Sequence, residues 1–196
     1  MICKKKITIV VPVMNEEESI SHFLSEFRRQ TNDADADFDF LFIDDGSTDR
    51  TLDILQQEHA KDPRVNFIKL SRNFGKEAAM TAGIDCVSSD AAIIMDVDLQ
   101  DPPSIIPEMV RLWQSGYDTV FGMRVSRKED TKAKRMTAQM FYKLFNTSSH
   151  VSIPQDVGDF RLISRRVIDA LKLLPERNRF MKGLFAWPGY SSIGVP

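Results

Sequence analysis

Three side chains that carry oxygen donors alternate directly after an apolar run, in Asp96-Val97-Asp98-Leu99-Gln100. Alternate residues of an extended segment point to one side, so Asp96, Asp98 and Gln100 can gather around a single cation. A donor set made only of oxygen suits Mg²⁺ or Mn²⁺. Asp101, with Pro102 and Pro103 behind it, has instead the composition of a helix start. Two adjacent carboxylates, Asp44 and Asp45, precede Gly46-Ser47. A carboxylate in such a turn can accept from a base N–H or a ribose hydroxyl, and the glycine lets a backbone come close. The same residues also suit an ordinary turn, with Ser47 or Thr48 capping a helix. What favours ligand binding is the crowding of two carboxylates, which is costly unless cations or donors stand nearby. Arg72, Asn73 and Lys76 flank Gly75 where a further helix opens, and the positive end of a helix attracts phosphate. Neither GxxxxGK[ST] nor GxGxxG occurs, which argues against P-loop phosphoryl transfer and dinucleotide binding.

These groups need elements to hold them. Short apolar runs at Ile7–Val11, Phe38–Ile43, Val65–Leu70, Ala91–Met95 and Thr119–Met123 read as buried strands. Between them lie helical patterns. The first has Ile20, Phe23, Leu24 and Phe27 behind an Asn15 cap with Glu18 three residues on. The others run over about 49–59, 76–87 and 103–115. Repeated β-then-α order predicts an α/β fold, a mostly parallel Rossmann-like sheet with helices on both faces. Each candidate group follows a strand, so all gather at the carboxyl edge of the sheet, where such sheets bind ligands. The Ala/Asp run over 33–39 reads as a surface loop. Beyond Arg124 the pattern loosens into a Lys- and Met-rich helix over about 133–145, a polar turn, and a last helix over about 165–174.

With 196 residues, 42% of them hydrophobic and 28% charged, the chain fits one domain over 1–196 with a sizeable core. Cys3 and Cys86 stand far apart, which indicates neither a disulfide framework nor a thiolate zinc site and fits a reducing compartment. The lysines at 4–6 precede an apolar run, but Pro12 and the acidic residues 16–18 interrupt it, so it is not read as a secretion signal. No run approaches the ~20 apolar residues that a membrane-spanning helix needs. The net charge of −2 conceals an asymmetry: residues 1–123 carry 12 basic and 22 acidic side chains, residues 124–196 carry 14 and 6. The second part is suited to anionic partners. Nucleic acid is not expected among them, since no helix-turn-helix, zinc or RNP signature is present.

Five ordered motifs resemble those of one family: Pro12-Val-Met-Asn-Glu16, Asp44-Asp-Gly-Ser47, Ser71-Arg-Asn-Phe-Gly-Lys-Glu77, Asp96-Val-Asp-Leu-Gln-Asp101 and Val157-Gly-Asp-Phe-Arg-Leu162. In order and spacing they are similar to the family 2 glycosyltransferases of GT-A fold, in the polyprenyl-phosphate branch that also holds dolichyl-phosphate mannose synthase. The run Leu174-Pro-Glu-Arg-Asn-Arg-Phe-Met-Lys-Gly183 most resembles the bactoprenol glucosyltransferases of bacterial and phage O-antigen modification. The resemblance covers essentially the whole chain. It implies an inverting, metal-dependent transferase that moves a sugar, glucose from UDP-glucose in the first instance, onto undecaprenyl phosphate at the cytoplasmic face of the bacterial inner membrane. GDP-mannose or another nucleotide sugar as donor is the alternative, as is a non-catalytic nucleotide-sugar-binding domain.

Carried over by position, the resemblance implies that Pro12, Asn15 and Glu16 border the nucleotide and that Asp44 and Asp45 hold base and ribose. Arg72 and Lys76 line the nucleotide side, while Asp96, Asp98 and Gln100 hold the metal and diphosphate. Arg124 faces a donor or acceptor phosphate. Asp159 sits beside the reacting centre, with Arg161 and Arg165 near the acceptor phosphate and Arg177 and Arg179 in an acceptor loop. Residues 1–123 then form the nucleotide-sugar and metal half, and 124–196 the acceptor and membrane-facing half. A homo-oligomer stays open. Members of the branch continue into a pair of transmembrane helices, for which this sequence has no counterpart. A lipid monophosphate with a second pKa of about 6 is already largely dianionic at neutral pH, so the chemistry needs no strong base. Asp159 is therefore expected to orient the acceptor or sugar hydroxyls at least as much as to take a proton. Pairing with Arg161 or Arg165 is its competing, purely structural role.

Overall fold

A computed structural model describes residues 4–123, 157–174 and 181–196. The expected helix over 133–145, and Arg124, Arg177 and Arg179, lie outside the described residues. Strands β1 (Lys5–Val13), β2 (Ala36–Asp44), β3 (Val65–Lys69), β4 (Ala91–Ile94), β5 (Thr119–Met123), β6 (Val157–Ser164) and β7 (Ser192–Val195) form a seven-stranded sheet in the order β3-β2-β1-β4-β6-β5-β7. β6 alone among these runs antiparallel to its neighbours β4 and β5. Helices α1 (Ile20–Gln30), α2 (Thr51–Lys61), α3 (Lys76–Cys86), α4 (Ile106–Gln114), α5 (Arg165–Lys172) and α6 (Met181–Ala186) cover both faces.

The alternation along each strand divides the core in two. Ile7, Ile9, Val11 and Val13 of β1, with Ala91 and Ile93 of β4, pack against α1, α2 and α4. Val10, Ile94 and Ile163 face the other way, against Ala79, Met80 and Ile84 of α3, Val167, Ile168 and Leu171 of α5, and Met181 and Phe185 of α6. In the first core Phe23, Phe27, Phe40 and Phe42 meet mostly edge to face at 5.0–6.4 Å. Such pairs add ~0.5–1.5 kcal/mol each beyond burial, which fixes α1 on β2.

Four local expectations are corrected. Asn15 does not cap α1: it has φ 55°, and its Oδ1 accepts from the Thr48 N–H at 2.8 Å. The helix begins later, behind Ser19, because Asn15 is committed to the next loop. Residues 33–39 are not all loop. Ala34 and Ala36 are buried and β2 starts at Ala36, in register with Lys5, so the alternating aspartates are the solvent side of a strand entry. The segment read as an isolated motif at 157–162 is β6, whose Phe160 and Leu162 enter one core while Ile163 enters the other. Residues 181–186, where no regular element was expected, form α6, held where Glu77 Oε2 accepts from the Met181 N–H at 3.0 Å.

Pro12 is inside β1 rather than after it, opposite Ile43. It is tolerated because its nitrogen faces the β4 side, where β4 has already ended at Ile94. Among the described residues no helix is long and apolar enough to cross a membrane.

Candidate active site

The carboxyl ends of β1, β2 and β4 open onto a cleft of about 330 Å³, at the lower end of the ~300–1,000 Å³ of small-molecule sites. β1 contributes Pro12, Val13 and the following Met14 and Glu16; β2 is followed by Asp45; Asn73, Gly75, Lys76 and Ala79 come from the start of α3; Asp96, Val97 and Asp98 follow β4. Of the residues singled out in the sequence, Pro12, Glu16, Asp45, Lys76, Asp96 and Asp98 line the cleft. Asn15, Asp44, Arg72 and Gln100 are not among the lining residues.

Local bonds explain these placements. Asp44 is fully buried; Oδ1 accepts from the Ser47 N–H at 2.9 Å, and Oδ2 has no hydrogen-bond partner among the described residues. Asp45 is spent on the neighbouring loop, its two oxygens accepting from the Phe74 and Gly75 N–H groups at 2.8 Å each. Gly46, at φ +77°, permits this closeness: a Cβ there would lie 2.5 Å from the carbonyl carbon of Arg72. Arg72 donates to the Asn73 carbonyl and stacks 3.9 Å above the Phe74 ring, on the outside of that loop. Glu16 accepts from the Ser19 hydroxyl at 2.6 Å.

The charged centre is an ammonium among carboxylates. Lys76 Nζ lies 2.7 Å from Asp96 Oδ1, 2.8 Å from Asp96 Oδ2 and 3.0 Å from Asp159 Oδ2. Burial disfavours the charge on Lys76, but Asp96, and then Asp159, outweigh it and raise its pKa above the ordinary lysine value. Asp159 Oδ1 is buried with no hydrogen-bond partner among the described residues. Asp159 is not among the lining residues but meets Lys76 at the rim from β6, a strand that runs against its neighbours and so delivers its first residues to the carboxyl edge of the others.

Three site expectations change. The stretch 96–100 is not extended: Leu99 has φ 58°, and Asp98 Oδ1 accepts from the Gln100 N–H at 3.1 Å. The turn directs Asp96 and Asp98 to the cleft and leaves Gln100 out of its lining, so the three side chains do not alternate along one extended face. Arg161 is only 4% exposed. Its guanidinium donates to the carbonyls of Gly158 at 2.6 Å and Asp159 at 3.3 Å, and stacks on Phe185 at 4.1 Å. Burial pushes it down to about 10, against the opposing pull of Asp159 and Glu77, so it stays charged at neutral pH. It braces the backbone that carries Asp159 and is not among the residues that line the cleft. Arg165 lies at the opposite edge of the sheet, donating to the carbonyls of Val87 and Ser89 and pairing with Asp169 at 3.2 Å. It therefore closes the end of α3 and does not face the cleft. Glu77, which ties α6 to α3, was given no role from its place at the end of the Ser71–Glu77 motif.

A mostly parallel sheet with helices on both faces is an architecture found in solved glycosyltransferases of GT-A fold. A Pyrobaculum calidifontis mannosyltransferase solved with GDP-Man and Mn²⁺ shares it at a TM-score of 0.67 and 19% identity, over 100% of this chain and 56% of that one. Glucosyl-3-phosphoglycerate synthase from Mycobacterium tuberculosis, solved with Mn²⁺, UDP-glucose and phosphoglyceric acid, does so at 0.64 and 19%, over 97% and 70%.

The sequence carries the assignment further: the glycosyl transferase family 2 model matches residues 8–172, and the chain belongs to that family. The bactoprenol glucosyl transferase of Shigella phage SfV is 48% identical over 184 residues, 94% of this chain. The chain spans 60% of the length of that relative and between 58% and 60% of two other curated relatives.

Proposed function

We propose that this chain is the nucleotide-sugar-binding and transfer domain of an inverting glycosyltransferase that moves glucose from UDP-glucose onto a polyprenyl phosphate. The observation that carries the reading is the grouping of Asp96, Asp98 and Asp159 with Lys76 at the carboxyl edge of the sheet, in a family 2 chain. The glucose and the polyprenyl acceptor are supported by the name of the relative at 48% identity.

The donor set fits a divalent cation: Asp96 and Asp98 offer hard carboxylate oxygens, and Asp96 already holds a cationic group. We assign these two residues to Mg²⁺ or Mn²⁺. Bound there, such an ion supplies charge neutralisation for the departing diphosphate. Lys76 adds a donor on the same side, at a helix start where no side chain caps the first turn. Asp159, fixed through its own carbonyl by Arg161, orients the acceptor against the sugar. Direct in-line attack by the acceptor phosphate oxygen inverts the anomeric centre. The basic excess over 124–196 supports a site of action at an anionic membrane surface, the cytoplasmic face of the bacterial inner membrane.

The test is transfer of radiolabelled glucose from UDP-glucose to undecaprenyl phosphate in vesicles, with Mn²⁺ and with EDTA. Metal-dependent appearance of a labelled lipid supports the reading. Labelled lipid from GDP-mannose alone moves the chain to a mannosyl donor, and no lipid product from either donor contradicts the assignment.

A further inference from the structure

We propose that Lys76 makes divalent-cation binding and nucleotide binding interdependent, by competing with the cation for the oxygens of Asp96 until a diphosphate draws its ammonium away. This rests on the nucleotide-sugar reading above and adds a binding order to it.

The geometry carries the competition. Nζ lies within 2.8 Å of both Asp96 oxygens and 3.0 Å from Asp159 Oδ2. The ammonium is thereby engaged by both carboxylates, and it can turn to a phosphate only by giving up at least one of them. A divalent cation on either Asp96 oxygen would stand next to the ammonium, and like charges at that separation repel strongly in a partly desolvated cleft. The two cations therefore exclude one another at Asp96.

The side chain is also free to leave. Its stem is a flexible four-carbon chain rooted at the first residue of α3, and its side chain is 42% exposed. The first turn of α3 has no side-chain cap, so a diphosphate seated there would lie beside the root of Lys76 and offer it new oxygen acceptors. Nucleotide binding thus releases Asp96 from its ion pair, and cation binding releases Lys76 for the diphosphate. By linkage, each ligand strengthens the other by the same factor.

The experiment measures Mn²⁺ affinity by the paramagnetic resonance signal of the free ion, with and without UDP. It uses the unaltered chain, Lys76→Met, Lys76→Arg, and Lys69→Met as a control for loss of an exposed cation on β3; circular dichroism checks folding. Loss of a half-exposed ion pair predicts that Lys76→Met binds Mn²⁺ without UDP about two- to fivefold more tightly. The enhancement that UDP gives to Mn²⁺ binding falls in the same variant by a similar factor. Lys76→Arg and Lys69→Met keep the unaltered pattern. Unchanged Mn²⁺ affinity in Lys76→Met, or UDP enhancement undiminished in it, overturns the competition. Failure of every form to bind Mn²⁺ even with UDP overturns the metal assignment of Asp96 itself, and this proposal falls with it.

Discussion

Gly46→Ala tests whether the site is held by the contact between the turn after β2 and the loop before α3. Gly46 has φ +77°, and a Cβ there would meet the carbonyl carbon of Arg72 at 2.5 Å, the nitrogen of Asn73 at 2.6 Å and the Cα of Arg72 at 2.9 Å. All three are backbone atoms, so no side-chain rotation relieves the overlap. The left-handed conformation costs an alanine ~1–2 kcal/mol, and forcing a methyl into a packed contact adds ~1–3 kcal/mol. The expected loss is about 2–5 kcal/mol in urea unfolding. Gly116, at φ +114° with nothing within 4 Å of an added Cβ, serves as the control: Gly116→Ala should show only the conformational part. Displacement of the loop also stretches the bonds from Asp45 to the Phe74 and Gly75 N–H groups, so these two amides should lose exchange protection in Gly46→Ala. A variant within ~0.5 kcal/mol of the parent, with both amides still protected, would refute the reasoning.

Three more outcomes follow from named contacts. Asp45→Asn leaves one of the two loop N–H groups facing an amide NH₂, and should cost ~1–3 kcal/mol in urea unfolding and weaken UDP binding; unaltered stability would show these bonds to be idle. Asp98→Ala should abolish metal-dependent donor binding in calorimetry while the circular dichroism spectrum is kept; an unchanged metal-dependent affinity would remove Asp98 from the metal site. The carboxyl of Asp62 is held down to about 2, chiefly by its hydrogen bond from Arg64, against the effect of burial and with help from the Arg64 N–H and the charges of Arg64 and Arg28. A depressed folded-state value means that its stabilisation is fully present above the unfolded value of about 4 and is lost as pH falls through about 2. Its arginine partners are 41% and 61% exposed, so we discount the contribution to ~1 kcal/mol at pH 7. The stability gap between the parent chain and Asp62→Asn should close between pH 4 and pH 2, and a gap that persists at pH 2 would contradict this.

Strands β1 to β5 were legible because each is a short apolar run, and the placing of ligand groups after them follows from parallel topology. β6 was hidden because its alternation includes a buried arginine and the charged Asp159, which pairs with Lys76, so Phe160, Leu162 and Ile163 did not read as a strand. β7 and α6 are four and six residues long and bury few side chains, too few for a period to show. At the site, residue type predicted Asp96 and Asp98 correctly as cleft residues, but a regular extended geometry was assumed where Leu99 turns the chain. Arg161 and Arg165 show the limit of reading charge from sequence. Both sit in a basic run near a motif, yet one is buried beneath Asp159 and the other closes a helix at the far edge, because successive residues of a strand and the helix after it face different ways.

Calorimetric titration of the chain with UDP-glucose, GDP-mannose and UDP, each with Mn²⁺ and with EDTA, tests the central assignment most directly. Binding of the two uridine ligands that requires Mn²⁺ and is absent for GDP-mannose is the predicted result. Binding that is equally strong in EDTA, or heat from none of the three ligands, would contradict it.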